Sequence, residues 1–197
     1  MNYLAHLRLS PAHAMLRLGN LCGDFRRGMP LDALPAVLQR GAAQHLALDE
    51  FTDRHVIHRR SRARLAERFA RWSGVLVDVF YDHFLASDWP RWGDGRPLPT
   101  FTGECYQLLE EHRALLPPQL QDAAPRMAAQ DWLGAYASLE GIDRVLGRMS
   151  QRIRRANPVD QGGQQLRQHY DDLRTDFAEF FADALEFAAS WGDSADG

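Results

Sequence analysis

An all-α, single-domain helical bundle is predicted for this 197-residue chain by three observations. Apolar residues recur at helical spacing through most of its length, no strand-like alternation persists beyond a few residues, and Gly or Pro clusters fall between the periodic runs. With 45% hydrophobic content the chain is long enough to fill one core, and nothing in its composition requires a second. No run of about 18 apolar residues exists. The N-terminus carries Asn2, His6 and Arg8 where an export signal needs an unbroken apolar stretch, so the expected compartment is the cytoplasm, without membrane partners. Cys22 and Cys105 are far apart and form no Cys-x-x-Cys pattern, which argues against a disulfide framework or a zinc knuckle and for two reduced thiols.

Residues 1–9 read as an apolar segment with His6 at its middle. Ser10 and Pro11 read as an N-cap and a first helical proline, giving a helix over 11–21 that ends near Gly23. Asp24 follows beside Phe25, Arg26, Arg27 and Gly28, either as an exposed ion pair or as a carboxylate presented to a metal with arginines placed for an anion. Pro30 and Pro35 bracket a turn, and the next helix begins near Ala36. Along it His45, Asp49 and Asp53 recur at i, i+4 and i+8 and form one polar stripe opposite Leu46, Leu48 and Phe51. His55 and His58 lie among arginines and read as facing solvent or substrate. A helix over 59–72 carries Leu65, Phe69 and Trp72 inward.

The segment 75–85 is the most informative. Read as a helix capped by Ser73, it places Asp78 and Asp82 one turn apart on one face, with His83 about 100° further round. Unpaired charge in so apolar a segment is costly to bury, so either arginines pair with these groups or they meet a cation. Residues 88–99 read as a loop that packs back on the bundle. Helices are expected over 101–115, 125–136, 138–152 and 164–191, with Pro117-Pro118 as a stop and a frayed tail from Gly192, so that 1–191 form the domain and 192–197 the tail.

Asp24, His45, Asp49, Asp53, Asp78, Asp82 and His83 form a carboxylate-and-imidazole set without cysteine. Such a set suits Mn²⁺, Mg²⁺ or Fe²⁺ better than structural zinc. A divalent cation among them makes phosphoester hydrolysis the natural chemistry, and Arg26 and Arg27 would hold the phosphate or a neighbouring anion. Neither a nucleophile elbow nor a Gly-rich phosphate loop is present. The net charge of −3 conceals an asymmetry: residues 54–71 hold seven arginines against Glu67, whereas the segment from Asp171 onward holds eight acids against Arg174. The basic segment is either a solvated helix face or a surface for an anionic partner.

Four segments together resemble the acyl carrier protein phosphodiesterase (acyl carrier protein hydrolase) family. They are Met1-Asn2-Tyr3-Leu4-Ala5-His6-Leu7, the run from Gly19-Asn20-Leu21 through Cys22-Gly23-Asp24-Phe25-Arg26-Arg27-Gly28, the His45 stripe ending Phe51-Thr52-Asp53, and Asp78-Val79-Phe80-Tyr81-Asp82-His83-Phe84-Leu85. The resemblance implies a cytoplasmic, Mn²⁺-dependent hydrolase, a divergent relative of HD-type metal phosphohydrolases. Such an enzyme cuts the phosphodiester joining 4′-phosphopantetheine to the serine of holo acyl carrier protein and releases the apo carrier; no nucleic acid is involved. The order Asp82-His83 reverses the usual His-Asp pair.

On this reading Asp24, His45, Asp78 and Asp82 hold one or two divalent cations, and His83 or His6 protonates the departing serine oxygen, or His83 is itself a ligand. Asp49 and Asp53 stand behind the ligands. Since acyl carrier proteins are small and acidic, the family resemblance makes Arg26, Arg27, Arg59, Arg60, Arg62 and Arg64 candidates for steering the carrier. The alternatives are an HD-like nucleotide phosphohydrolase and a metal-free helical interaction module.

Overall fold

The structure, a computed structural model, describes residues 1–26 and 28–193, and among these it contains eleven α-helices and no strand. The first helix, α1 (Tyr3–Leu9), is short because Ser10 ends it. The Ser10 hydroxyl donates to the His6 carbonyl at 2.8 Å while its own backbone turns extended. Ser10 therefore closes α1 instead of opening the next helix, and α2 (Ala14–Cys22) starts later than the sequence suggests. Next, α3 (Ala36–Arg54) packs tightly on α2, because Gly19 and Gly41 meet at their crossing and a Cβ on either would run into the main chain of the other helix. Asn20 donates to Gln44, which donates to the Leu9 carbonyl, so one buried amide chain ties α1, α2 and α3 together.

The arginine-rich helix is α4 (Val56–Phe69), whose inner stripe is His58, Ser61, Leu65 and Phe69. It leads through a short 3-10 turn into α5 (Ser73–Ser87), where residues 79–86 are all buried, as expected of a helix apolar on every side. The predicted loop over 88–99 contains a single helical turn, α6 (Trp89–Trp92), and it does pack inward. Trp89 is buried against Phe101 and donates to the Arg96 carbonyl, and Trp92 meets Phe177 and Phe181 edge-on.

After α7 (Leu98–Glu111), Pro117 and Pro118 open α8 (Pro118–Ala129), and Pro125 lies inside that helix instead of starting one. A proline at the first helical position lacks only an N–H that has no intrahelical partner there. A 3-10 segment (Gly134–Ala137) and Ser138, whose hydroxyl accepts from the Gly141 amide, lead into α9 (Leu139–Arg152). The expected last helix is two, α10 (Gly162–Gln168) and α11 (Tyr170–Asp193), separated at His169. The tail expected to fray from Gly192 is still helical to Asp193, and residues 194–197 lie outside the described residues. The central α5 packs against α1, α4, α9 and α11. No helix among the described residues is long and apolar enough to cross a membrane.

The charge asymmetry of the sequence is resolved within the chain, because α4 lies along α11. Asp176, with 1% of its side chain exposed, accepts from Arg60 at 2.8 Å, from Arg64 at 3.0 Å and from the Ser61 hydroxyl at 2.7 Å. Arg60 also pairs with Glu179, and Arg64 with Asp172. Burial alone would raise the Asp176 carboxyl, but the hydrogen bonds from Arg64, Ser61 and Arg60 hold it below the usual carboxylate range. A depressed carboxylate contributes stability that is complete above its unfolded value of about 3.9 and is lost as pH falls through the folded value.

Asp176→Asn is therefore expected to lower stability at pH 7 by about 3 kcal/mol, the low end for a broken buried pair because both arginines keep access to water. The deficit relative to wild type should shrink below about pH 4. Urea melts of both proteins between pH 3 and 7 check this, and a deficit that does not change with pH would contradict it.

Candidate metal centre

Five segments bring polar side chains to one place. His6 comes from α1, Asp24 from the 3-10 turn Gly23–Phe25, His45 and Asp49 from α3, His58 from α4 and Asp78 from α5. Asp49 is the hub: its Oδ1 lies 3.2 Å from His6 Nε2 and 3.2 Å from the Met1 amine, and its Oδ2 lies 3.1 Å from His45 Nε2. One ligand atom each from His6, His45 and Asp49 falls within 4.8 Å of the other two, the spacing a shared cation needs. The His6 and His45 rings stack with centroids 4.0 Å apart. Beside them His58 Nε2 meets Asp78 Oδ1 at 3.0 Å, and that carboxylate stands 3.6 Å from the Met1 amine.

The imidazoles and carboxylates differ in access. His6, His45 and His58 are buried, whereas Asp49 is 39% and Asp78 25% exposed, so the carboxylates form the solvent-facing side of the cluster and the imidazoles its buried side. Asp24 is also open to solvent, but surrounding protein and then the neighbouring Asp49 and Asp78 push its carboxyl up to about 6 against His45 and the Met1 amine. Burial takes His6 down to about 4 despite its bond to Asp49, which keeps it neutral at pH 7. Burial would raise Asp49, but hydrogen bonds to His45 and His6 hold it far below the carboxylate range. Asp78 is likewise lowered overall, the Met1 amine and His58 outweighing burial. Met1's own amine rises to about 10, since Asp78, Asp49 and Asp24 outweigh the cost of burying it.

Neutral imidazole, ionised carboxylate and no thiol are the donors that a hard or borderline divalent cation selects. The Nδ1 atoms of His6, His45 and His58 are buried with no partner among the described residues. In each ring the nitrogen facing a carboxylate is Nε2, and in the tautomer with its proton on Nδ1 that Nε2 would offer a lone pair to a cation. The residues present therefore fit a divalent cation.

Several sequence expectations change here. Asp78 and Asp82 do share the face of α5 turned to α1, but they act differently. Asp82 is fully buried, and its two oxygens accept from the Leu4 amide at 2.8 Å and the Ala5 amide at 2.9 Å, so it caps the first turn of α1. His83 leaves the cluster: Nδ1 faces the Tyr136 carbonyl at 2.8 Å and Nε2 the Tyr170 hydroxyl at 3.1 Å, which makes it a satisfied core histidine. Asp49 moves from a supporting position to the centre. Asp53 is exposed, because residues four apart on a helix drift by about 40° and two such steps carry it off the stripe.

His6, expected as a proton donor, belongs to the ligand-type set, and Leu46, expected to be apolar surface inside, is 39% exposed. His58 was masked by the arginines around it. Its signal was the spacing 58, 61, 65, 69, which extends the inner stripe of α4 back to it. Of the arginines, Arg26 donates to the Met29 carbonyl at 2.7 Å and Arg27 lies outside the described residues. Arg59 is exposed, and Arg60 is engaged by Asp176 and Glu179.

Gly23 makes the site possible, since a Cβ there would enter the His45 ring. Gly23→Ala is expected to turn that imidazole and weaken Mn²⁺ binding by about tenfold or more, on the scale of losing a group that orients a ligand. Titration calorimetry reads the change. Unaltered affinity would mean that His45 is not a ligand.

A family profile described as acyl carrier protein phosphodiesterase matches residues 1–184. The chain is similar to the acyl carrier protein phosphodiesterases of Serratia proteamaculans (32% identical, covering 95% of this chain and 97% of the relative) and Photorhabdus laumondii (31%, 95% of each). It is also 32% identical to that of Escherichia coli O45:K1, over 96% of this chain and 98% of the relative. No solved structure matches it. The match over nearly the whole length, on a fold that converges His6, His45 and Asp49, establishes that the chain belongs to the acyl carrier protein phosphodiesterase family, enzymes that hydrolyse a phosphodiester.

Proposed function

We propose that this chain is a cytoplasmic hydrolase that cleaves the phosphodiester between 4′-phosphopantetheine and the serine of holo acyl carrier protein. The proposed cation is Mn²⁺, with Mg²⁺ or Fe²⁺ as substitutes, held by His6, His45 and Asp49 with Asp24 and Asp78 alongside. The observation that carries this reading is the convergence of these side chains in a cluster whose carboxylates face solvent, in a chain of this family. A divalent cation there supplies an acidified water and charge withdrawal from a phosphoryl oxygen.

The remaining tasks fall to the chain itself. Asp49 brings the two imidazoles to one point, facing His6 Nε2 with one oxygen and His45 Nε2 with the other. His58 fixes the Asp78 carboxylate through Oδ1 while that side chain stays a quarter exposed. Asp24, solvent-facing at the turn, is placed to orient the attacking water by accepting its hydrogen bond. Arg26, anchored on the Met29 carbonyl next to that turn, presents its other N–H groups to the substrate phosphate. Water adds to phosphorus, the P–O bond to serine breaks, and the serine oxygen leaves with a proton.

Incubating holo acyl carrier protein with the enzyme and Mn²⁺ and weighing the intact carrier tests this. The expected result is loss of the phosphopantetheine mass. An unchanged holo carrier, with nucleotides hydrolysed instead, would select the nucleotide phosphohydrolase.

A further inference from the structure

Arg60 and Arg64 of α4 are engaged by α11, and a second basic surface adjoins the metal-type cluster. On α9, Arg144, Arg148 and Arg152 follow one another at i, i+4 and i+8, each one turn further on and about 40° round, so three like charges wind along one side of the helix. Like charges at that spacing destabilise a helix. No carboxylate among the described residues pairs with any of the three. Asp143 is taken by Arg167, and among the described residues Arg148 donates to the Gln130 side-chain oxygen, at 3.4 Å. What holds the stripe is one aromatic ring: the guanidinium carbons of Arg148 and Arg152 sit 5.3 and 4.6 Å from the centroid of Trp132. Arg154 and Arg155, both exposed, extend the positive charge beyond the helix.

This stripe adjoins the metal-type cluster. Arg148 and Arg152 line a small recess with Asn2, Tyr3, Trp132 and Tyr136. Asn2 is fixed there by donating to the Tyr136 hydroxyl at 2.8 Å, and Tyr3 stacks on Phe25, the residue after Asp24, with centroids 5.5 Å apart. The Tyr3 phenol lies within electrostatic reach of both Asp24 and Arg152. Tyr3 thus stands between Arg152, with which it lines that recess, and the turn that carries Asp24.

We propose that the arginine stripe of α9, steadied by Trp132, is the docking surface for the protein substrate and receives an acidic surface beside the modified serine. This rests on the proposed function only for the partner's name. The occupant's chemistry comes from the stripe, where three self-repelling, carboxylate-free arginines gain most from a partner that brings rigid negative charge. The required partner is acidic beside its attachment serine, and its phosphodiester enters over Tyr3 toward Asp24.

The test separates docking from chemistry. Fluorescence anisotropy with labelled holo acyl carrier protein measures binding to the full-length enzyme, wild type against Arg144→Glu/Arg152→Glu and against Arg148→Gln, while Mn²⁺-dependent hydrolysis of bis(p-nitrophenyl) phosphate reports the site itself. The expected result is carrier affinity weakened about tenfold or more in the double variant, a shallower dependence on salt, and unchanged hydrolysis of the small diester. Arg148→Gln, which removes one charge instead of reversing two, should weaken binding less.

Unchanged carrier affinity in both variants, or a comparable loss in Arg59→Glu alone, would overturn the proposal, as would wild-type enzyme that binds a single-stranded oligonucleotide but no carrier. If the wild type binds the carrier through the stripe yet never cleaves it, docking stands and the proposed reaction fails.

Discussion

Asp49→Ala is expected to remove bound Mn²⁺ and to abolish turnover of the holo carrier while leaving the helical content intact. The carboxylate accepts from His45 on one oxygen and meets His6 and the Met1 amine on the other, so its loss disconnects two candidate ligands at once. Groups that merely support a ligand already cost roughly 10–100-fold in affinity or activity, and removing the shared carboxylate should exceed that range. The fold should survive, because Asp49 is 39% exposed and the stripe beneath it, Leu38, Ala42, Leu48 and Thr52, is what binds α3 to the core. Metal analysis of the purified variant, set beside its circular dichroism spectrum, reads both halves. Wild-type Mn²⁺ content would remove Asp49 from the site.

Asp82→Ala should fail in the opposite manner, through stability. Its carboxylate sits at 0% exposure and satisfies two amides that begin α1. Burial pushes the group up to about 7 even though both amides favour the ionised form. Removing it strands two buried N–H groups at about 1–3 kcal/mol each, so a loss of about 3–5 kcal/mol is expected. For a chain of this size that lowers the melting temperature by roughly 10 °C. Asp82→Asn keeps the volume but offers one acceptor where two are needed, and should lie between. Metal affinity falls only as α1 and its His6 loosen, so it should recover under conditions that stabilise the fold. Wild-type stability combined with complete loss of metal would instead make Asp82 a ligand.

These two carboxylates show what the sequence discloses and what it withholds. Helical spacing placed Asp78 and Asp82 on one face of α5, and placed His45 near Asp49, because those relations are local and fixed by 3.6 residues per turn. What each carboxylate meets is not local. The partners of Asp82 are backbone amides more than seventy residues earlier, and amides leave no mark in a side-chain pattern. His83, one residue on, met a carbonyl and a phenol from two other elements for the same reason.

Asp53 was over-read because an i+4 series slides around the helix as it lengthens. His58 was under-read because its exposed neighbours are arginines while its own stripe is the buried one. The helix inventory was legible wherever apolar spacing ran unbroken, as in α3, α5 and α9. It misjudged ends set by single side-chain contacts, such as Ser10 on His6. The opposite charges of α4 and α11 were visible as blocks, yet only the fold shows that Arg60 and Arg64 meet the acids of α11 while no carboxylate among the described residues pairs with Arg144, Arg148 or Arg152 of α9.

The central claim is that His6, His45 and Asp49 share one divalent cation. Crystals grown with Mn²⁺ and measured at the manganese absorption edge test it most directly. A single strong anomalous peak in contact with both Nε2 atoms and the Asp49 carboxylate is the predicted result. A peak beside Asp82 and His83, or none at saturating Mn²⁺, would contradict it.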